Sequence, residues 1–139
     1  MTLPRSGSPV RTRSFAQSIK NMIRLQPSNK LELRPTETMG IGVFANKLIR
    51  TGEVIEDCWT IDLPENVLSD YRFAYPARTT PAEFYVALTG MGMMYNHSNT
   101  PNVIWNEHPT IQYCFRFTSI RDIQMGEQCF IYYGDVQFP

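Results

Sequence analysis

The chain has 139 residues, 42% of them hydrophobic and 19% charged, which fits one packed domain with a short appendage and excludes a second catalytic lobe, wholesale disorder and collagen-like order. No apolar run approaches the roughly 18 residues that a membrane span needs and no apolar signal segment opens the chain, so a soluble, intracellular protein without a membrane partner is expected, in the cytoplasm or a host cell. The net charge of zero hides a division: residues 1–24 hold five cations and no acid, leaving eight cations against thirteen acids in residues 25–139.

Positions 1–13 are rich in Ser, Pro and Arg and offer little to bury. Ser14 is placed to cap a short helix with Phe15, Ile19, Met22 and Ile23 on one face, ended by Pro27. A basic tail over 1–28 thus precedes a body over 29–139. The plain reading is a leader docked on the body; a basic arm for nucleic acid or an acidic partner rests on five cations and is the weaker reading, so direct nucleic-acid binding is not expected.

From Leu31 the texture is that of short strands, at 41–45, 53–59, 111–120 and 127–133, rich in Val, Ile, Phe, Tyr and Thr and separated by Gly, Pro, Asn or Asp. The first carries Met39-Gly40-Ile41-Gly42-Val43-Phe44-Ala45. Two glycines around one residue let the backbone approach a ligand closely, but a dinucleotide fingerprint lacks its third glycine and a phosphate loop lacks Gly-Lys-Ser/Thr; alone, the segment reads as a turn between strands. Helix is expected only locally, at 66–73 and at 82–89, where Ala82, Glu83, Ala87 and Leu88 favour it.

The segment Gly90-Met91-Gly92-Met93-Met94-Tyr95-Asn96-His97-Ser98-Asn99-Thr100-Pro101-Asn102 crowds short polar side chains beside a proline, which suits an irregular chain path tied by side-chain hydrogen bonds. His97 does not read as a metal ligand, since His108 is the only other histidine and no ligand cluster accompanies it. Nor does it read as half of a Ser-His hydrolase, since Ser98 has no nucleophile-elbow context. A structural histidine is the default. In 111–120, Ile111, Tyr113, Phe115, Phe117 and Ser119 alternate with Gln112, Cys114, Arg116 and Thr118, as a strand with one face in a core requires. The three cysteines, Cys58, Cys114 and Cys129, are spread singly and read as buried thiols rather than zinc ligands. Gly126-Glu127-Gln128-Cys129-Phe130-Ile131-Tyr132-Tyr133-Gly134-Asp135 closes the body as a tyrosine-rich strand and a turn.

Three of these segments together, Met39–Gly42, Asn96–Asn102 and Gly126–Gly134, resemble in order and spacing the SET-domain protein lysine methyltransferases, over about residues 29–139. The chain looks like the small stand-alone members found in viruses and some bacteria. The resemblance implies a mainly β, β-clip fold of several short sheets with a C-terminal pseudoknot and one or two short helices. It implies S-adenosylmethionine bound by Met39, Gly40, Ile41, Gly42, Tyr95, Asn96 and His97, with Phe138, the basic arm or a second subunit covering the adenine; Phe138 assisted by dimerisation is the favoured reading. It implies Tyr133 as the catalytic residue, and a lysine channel walled by Trp105, Tyr71, Ile131 and Tyr132, with no metal. The implied substrate is a basic segment of a histone-like tail or another basic protein, and a histone substrate would place the protein in a nucleus. Several positions depart from the family pattern: Tyr132 stands at an acidic position, Met93-Met94 at an Arg-Phe pair, Gln128-Cys129 at Glu-Leu, and Asn99 at a zinc-binding cysteine. These departures leave open a SET-like binding module with impaired catalysis, and more remotely a structural or nucleic-acid-binding β protein.

Overall fold

The computed structural model describes residues 27–64, 67, 72–78 and 82–135. Among them lie nine strands: β1 (Leu31–Pro35), β2 (Ile41–Ala45), β3 (Val54–Asp62), β4 (Phe73–Tyr75), β5 (Phe84–Leu88), β6 (Asn96–His97), β7 (Val103–Glu107), β8 (Cys114–Ser119) and β9 (Gln128–Ile131); one 3-10 turn, Tyr133–Asp135, follows. The expected mainly β architecture of several sheets is what forms. The helix anticipated before Pro27, most of the one at 66–73, Tyr71 and Phe138 fall outside the described residues.

The helix expected at 82–89 is instead β5. It lies between β4 and β3, with Val86 opposite both Phe73 and Asp62. The helical preference of Ala87 and Leu88 amounts to tenths of a kcal/mol per residue, whereas pairing with β4 over Phe84, Tyr85 and Val86 and with β3 over Val86, Ala87 and Leu88 satisfies the backbone, and Phe84, Tyr85 and Val86 are residue types that fit a pleated sheet. The strand expected at 111–120 begins at Cys114, because Ile111–Tyr113 turn the chain out of β7: His108 Nδ1 accepts the backbone N–H groups of Thr110 and Ile111, and Tyr113 has φ +63°. The inward set survives the turn, with Ile111, Tyr113, Phe115, Phe117 and Ser119 all buried, while Cys114 of the opposing set is buried as well.

The strands form two sheets, ordered β1-β2-β9-β6 and β4-β5-β3-β8-β7. A shared core of Val43, Ile49, Ile55, Trp105, Phe115, Phe117, Ile123 and Ile131 joins them, and all three cysteines are buried, unpaired thiols. Burial pushes the Cys114 and Cys129 thiols up to about 12, so neither is ionised near neutrality. The last strand, β9, is inserted between β2, which it meets antiparallel, and β6, which it meets parallel. That insertion brings the three sequence segments together. Among the described residues no helix is long and apolar enough to cross a membrane.

Candidate active site

The two motif glycines of the first segment are glycine for different reasons. Gly40 has φ +69° and open space where a Cβ would stand; its carbonyl accepts the N–H and Oγ1–H of Thr36 at 2.7 and 2.8 Å, closing the β1–β2 turn. Gly42 lies in regular strand, but a Cβ there would meet Gln128 Oε1 at 2.4 Å and Asn96 Nδ2 at 2.9 Å. Those two amides bond to each other at 2.9 Å, and Asn96 Nδ2 also donates to the Ile41 carbonyl at 3.3 Å. One side-chain amide therefore fastens β6 to β9 and to the Gly-x-Gly backbone.

The parallel pairing of β6 with β9 spans only Asn96↔Phe130 and His97↔Ile131. Side chains extend it. Asn102, buried, donates through Nδ2 to the Gln128 carbonyl at 2.9 Å and accepts the Phe130 N–H through Oδ1 at 2.7 Å, filling both main-chain needs of β9. The Ser98 N–H reaches the Ile131 carbonyl at 3.0 Å.

His97 Nδ1 accepts the Tyr133 backbone N–H at 2.7 Å, which leaves the ring proton on Nε2, donated to Asn99 Oδ1 at 2.9 Å. His97 is thus half-buried and fully engaged, and Asn99, one of the departures from the family pattern, sets its ring. Tyr133 donates its phenolic proton to the Tyr95 carbonyl at 2.6 Å, and its ring lies 5.2 Å from that of His97. Backbone and side chain of Tyr133 are gripped by residues two apart in sequence. Met39 and Ile41 stand beside this junction with 48% and 43% of their surface exposed.

The remaining residues singled out from sequence are distributed as follows. Ile131 is buried in β9, and Tyr132 is 46% exposed, its ring 5.3 Å from that of His97. The Tyr95 side chain points into the core, stacked on Phe117 at 4.7 Å. Trp105 is buried in β7 against Phe73 and Phe115, with the Arg78 guanidinium over its ring, and its indole N–H has no hydrogen-bond partner among the described residues. Trp105 sits opposite Phe117, the residue on which Tyr95 stacks. An open depression of about 500 Å³ at the β7–β8 turn, lined by Tyr75, Phe84, Glu107, His108, Ile111 and Tyr113, includes none of these residues.

Sequence reasoning missed Glu56. It lies in β3 where the register against β8 shifts between Val54 and Glu56, a bulge that leaves consecutive Ile55 and Glu56 both buried. Its Oε1 accepts the Tyr95 phenol at 2.8 Å and its Oε2 the Met91 N–H at 3.3 Å. Burial raises its pKa above the ordinary carboxylate range, and the hydrogen bonds from Tyr95, Met91 and Cys58 oppose that shift. A buried Glu is rare enough to be informative once seen, but nothing in Val54-Ile55-Glu56-Asp57 announces it.

Comparison with known proteins matches this arrangement. Residues 40–134 match the SET-domain family model. A histone-lysine N-methyltransferase of Schizosaccharomyces pombe, specific for lysine 37 of histone H3, is 32% identical over 114 residues, covering 76% of this chain and 74% of that protein. The structure of a candidate histone methyltransferase from Plasmodium falciparum superposes with a TM-score of 0.62 at 25% identity, over 76% of this chain and 93% of that one. An autoinhibited ctPRC2 bound to S-adenosylmethionine superposes with a TM-score of 0.60 at 21% identity, over 81% of this chain and 16% of that one, a likeness of fold. The family model spans the motif segments from Gly40 onward and the junction they build, so the chain belongs to the SET-domain family.

Proposed function

We propose that this protein is an S-adenosylmethionine-dependent protein-lysine N-methyltransferase. The observation that carries the reading is the convergence at Tyr133, whose phenol is held by the Tyr95 carbonyl while its backbone is held by His97, next to the Gly-x-Gly segment that Asn96 fastens. The cofactor fits there. Gly40 leaves open space where a Cβ would stand, Met39 and Ile41 on either side of it are partly exposed apolar residues, and Asn96 ties the adjoining strand to the Ile41 carbonyl. Met39, Gly40, Ile41, Gly42, Tyr95, Asn96 and His97 would hold S-adenosylmethionine, which when bound supplies a methyl group on a sulfonium.

What the chain contributes is placement. Methyl transfer is an in-line displacement, so most of the rate comes from holding the amine in line with the methyl carbon. The Tyr133 proton is committed to the Tyr95 carbonyl, so the phenol offers its oxygen lone pairs to the amine hydrogens or to the methyl group. That is electrostatic preorganisation rather than proton abstraction. A lysine amine, ordinarily protonated near pKa ~10.4, loses its proton to water more readily in apolar surroundings. Trp105, Ile131 and Tyr132 are the proposed channel walls among the described residues, and Tyr71 and Phe138 keep their proposed roles as channel wall and adenine cover.

The excess of five acids over cations in residues 25–139 favours a lysine- and arginine-rich substrate segment at low salt. A second copy of the chain assisting Phe138 remains the proposed cover; full activity from a monomer in light scattering rejects that contribution. The test of the whole reading is tritiated methyl transfer onto histones, ribosomal proteins and cell lysate. Tyr133→Phe should abolish transfer while cofactor titration by calorimetry is retained; unimpaired transfer in Tyr133→Phe discards the catalytic assignment. Cofactor binding by wild type without transfer to any protein favours the binding-module alternative.

A further inference from the structure

The segment Thr89–Tyr95 has no regular secondary structure, yet it delivers the carbonyl on which the Tyr133 phenol rests. Two attachments to β3 hold it. At its start, Thr89 donates its N–H to the Trp59 carbonyl at 3.0 Å and its Oγ1 accepts the Trp59 N–H at 2.9 Å. At its middle and end, the Met91 N–H and the Tyr95 phenol both donate to the buried Glu56 carboxylate. The glycines mark how tightly the segment is drawn down. A Cβ at Gly90, where φ is +67°, would stand 2.8 Å from Glu56 Oε2, and one at Gly92 would stand 2.7 Å from Leu88 Cβ and 3.2 Å from Cys58 Sγ.

We propose that Glu56 is a positioning residue for Tyr133: by clamping Met91 and Tyr95 together it fixes where the Tyr95 carbonyl lies, and through that carbonyl it aims the catalytic phenol. This rests on the methyltransferase reading and extends it by a residue that neither the three motifs nor the cofactor wall contains. A carboxylate suits the role better than an apolar side chain would. It accepts from two donors at once on separate oxygens, in a core position where each hydrogen bond strengthens for want of competing water. The titratable groups that face it are Tyr95, Cys58, Asp57 and Cys129. The group has no direct approach to the reacting atoms in this role; its influence passes through one side-chain bond, one peptide carbonyl and one phenolic bond.

The experiment compares wild type, Glu56→Leu, Glu56→Gln, Tyr95→Phe and Tyr133→Phe, all as full chains. It measures kcat and KM for methyl transfer, cofactor affinity by calorimetry, and the ring Cζ resonance of Tyr133 in protein labelled with ζ-carbon-13 tyrosine, assigned by its disappearance in Tyr133→Phe. Glu56→Leu and Tyr95→Phe should each lower kcat about tenfold or more, equivalent to ~1.4 kcal/mol in the barrier. Cofactor affinity should stay within about threefold, and the Tyr133 resonance should move. Glu56→Gln retains one oxygen and adds a donor for the phenol, so it should recover most of the kcat that Glu56→Leu loses. If Glu56→Leu fails to fold, Tyr95→Phe carries the test, because its ring can remain stacked on Phe117. An unchanged kcat with an unmoved resonance overturns the inference, as does a parallel loss of kcat and cofactor affinity, which marks a general structural role. Absence of methyl transfer by wild type defeats the enzymatic reading alone, since the resonance still reports whether Glu56 aims the phenol.

Discussion

Replacing each motif glycine by alanine separates the two reasons for which they are glycine. At Gly40 the added methyl group meets nothing within 4 Å, so the cost is that of holding an L-residue at φ +69°, about 1–2 kcal/mol. At Gly42 the new Cβ would lie 2.4 Å from Gln128 Oε1, against the ~3.5 Å of an ordinary contact, so the Gln128 amide must withdraw by about 1 Å and give up its 2.9 Å bond to Asn96. A lost hydrogen bond of about 1 kcal/mol plus a similar packing strain gives ~2–3 kcal/mol. Truncating Gln128 to Ala removes the nearer obstacle as well as the bond, leaving Asn96 Nδ2 at 2.9 Å but freed from Gln128 and able to give way, so Gly42→Ala should cost ~1 kcal/mol less in that background, beyond the ~0.5 kcal/mol within which independent substitutions add. Gly40→Ala should be indifferent to Gln128. Urea unfolding of the single and double variants measures both cycles. Additivity of Gly42→Ala with Gln128→Ala would refute the claim that these side chains hold the motif, and coupling of Gly40→Ala to Gln128 would refute the purely backbone account of Gly40.

Three further predictions follow from the same geometry. Asn102→Ala leaves the Phe130 N–H and Gln128 carbonyl without their buried partner, so unfolding free energy should fall by about 3–4 kcal/mol; a loss below about 1 kcal/mol in denaturant melts would contradict the role given to it. Trp105→Phe, which vacates space beside Phe73 and Phe115, should shift products toward higher methylation in mass spectra of a methylated peptide, and an unchanged product distribution removes Trp105 from the channel. Because burial raises the Glu56 carboxyl above its ordinary 4.5, the folded protein binds more protons there than the unfolded chain does. Glu56 therefore makes stability decline as pH rises from about 4.5 through its raised folded value. The opposite sign belongs to Glu53, lowered by its bond to Lys30, whose contribution is lost as pH falls below that range. The difference in urea midpoint between Glu56→Gln and wild type should widen in favour of the variant as pH rises, and a difference independent of pH would show that Glu56 binds protons equally in both states.

Period-two alternation made β8 legible because its inward residues are large and apolar, and even the turn at Tyr113 did not disturb that face. Helix propensity, by contrast, failed at 82–89, where Ala, Glu and Leu favour helix but sheet neighbours on both sides decide the outcome. At the site, the segments Met39–Gly42, Asn96–Asn102 and Gly126–Gly134 were visible as motifs. What holds them was not: Gln128 read as a departure from pattern, and Glu56 drew no reading of its own. Asn96–Gln128, Asn102–β9 and Glu56–Tyr95 are side-chain bonds between residues 26 to 39 apart in sequence, and no local period reports such pairings. Trp105 was singled out as a channel wall through the resemblance, and its burial against Phe73 and Phe115 depends on strand order that the sequence does not display.

The site stands on one of the weakest-looking elements in the molecule. A parallel ladder of two residues has little stability of its own, and Tyr133 follows directly from it in a single 3-10 turn. Three amide side chains compensate. Asn102 supplies a donor and an acceptor to β9, Asn96 reaches across to Gln128 and the Ile41 carbonyl, and Gln128 fills the space that Gly42 leaves. An amide can donate and accept without carrying charge, so it can sit beside a cationic donor and a cationic substrate without titrating or drawing either out of line. Among the described contacts of Tyr133, its backbone N–H rests on an imidazole nitrogen of His97 and its phenol on the Tyr95 peptide carbonyl, and the Glu56 carboxyl group acts behind Tyr95. An ionised carboxylate placed directly on the Tyr133 phenol would instead attract the substrate ammonium and favour the protonated, unreactive amine. If Tyr133 is the catalytic residue proposed above, placing the Glu56 carboxyl group behind Tyr95 would support the phenol without setting a carboxylate against the reacting amine.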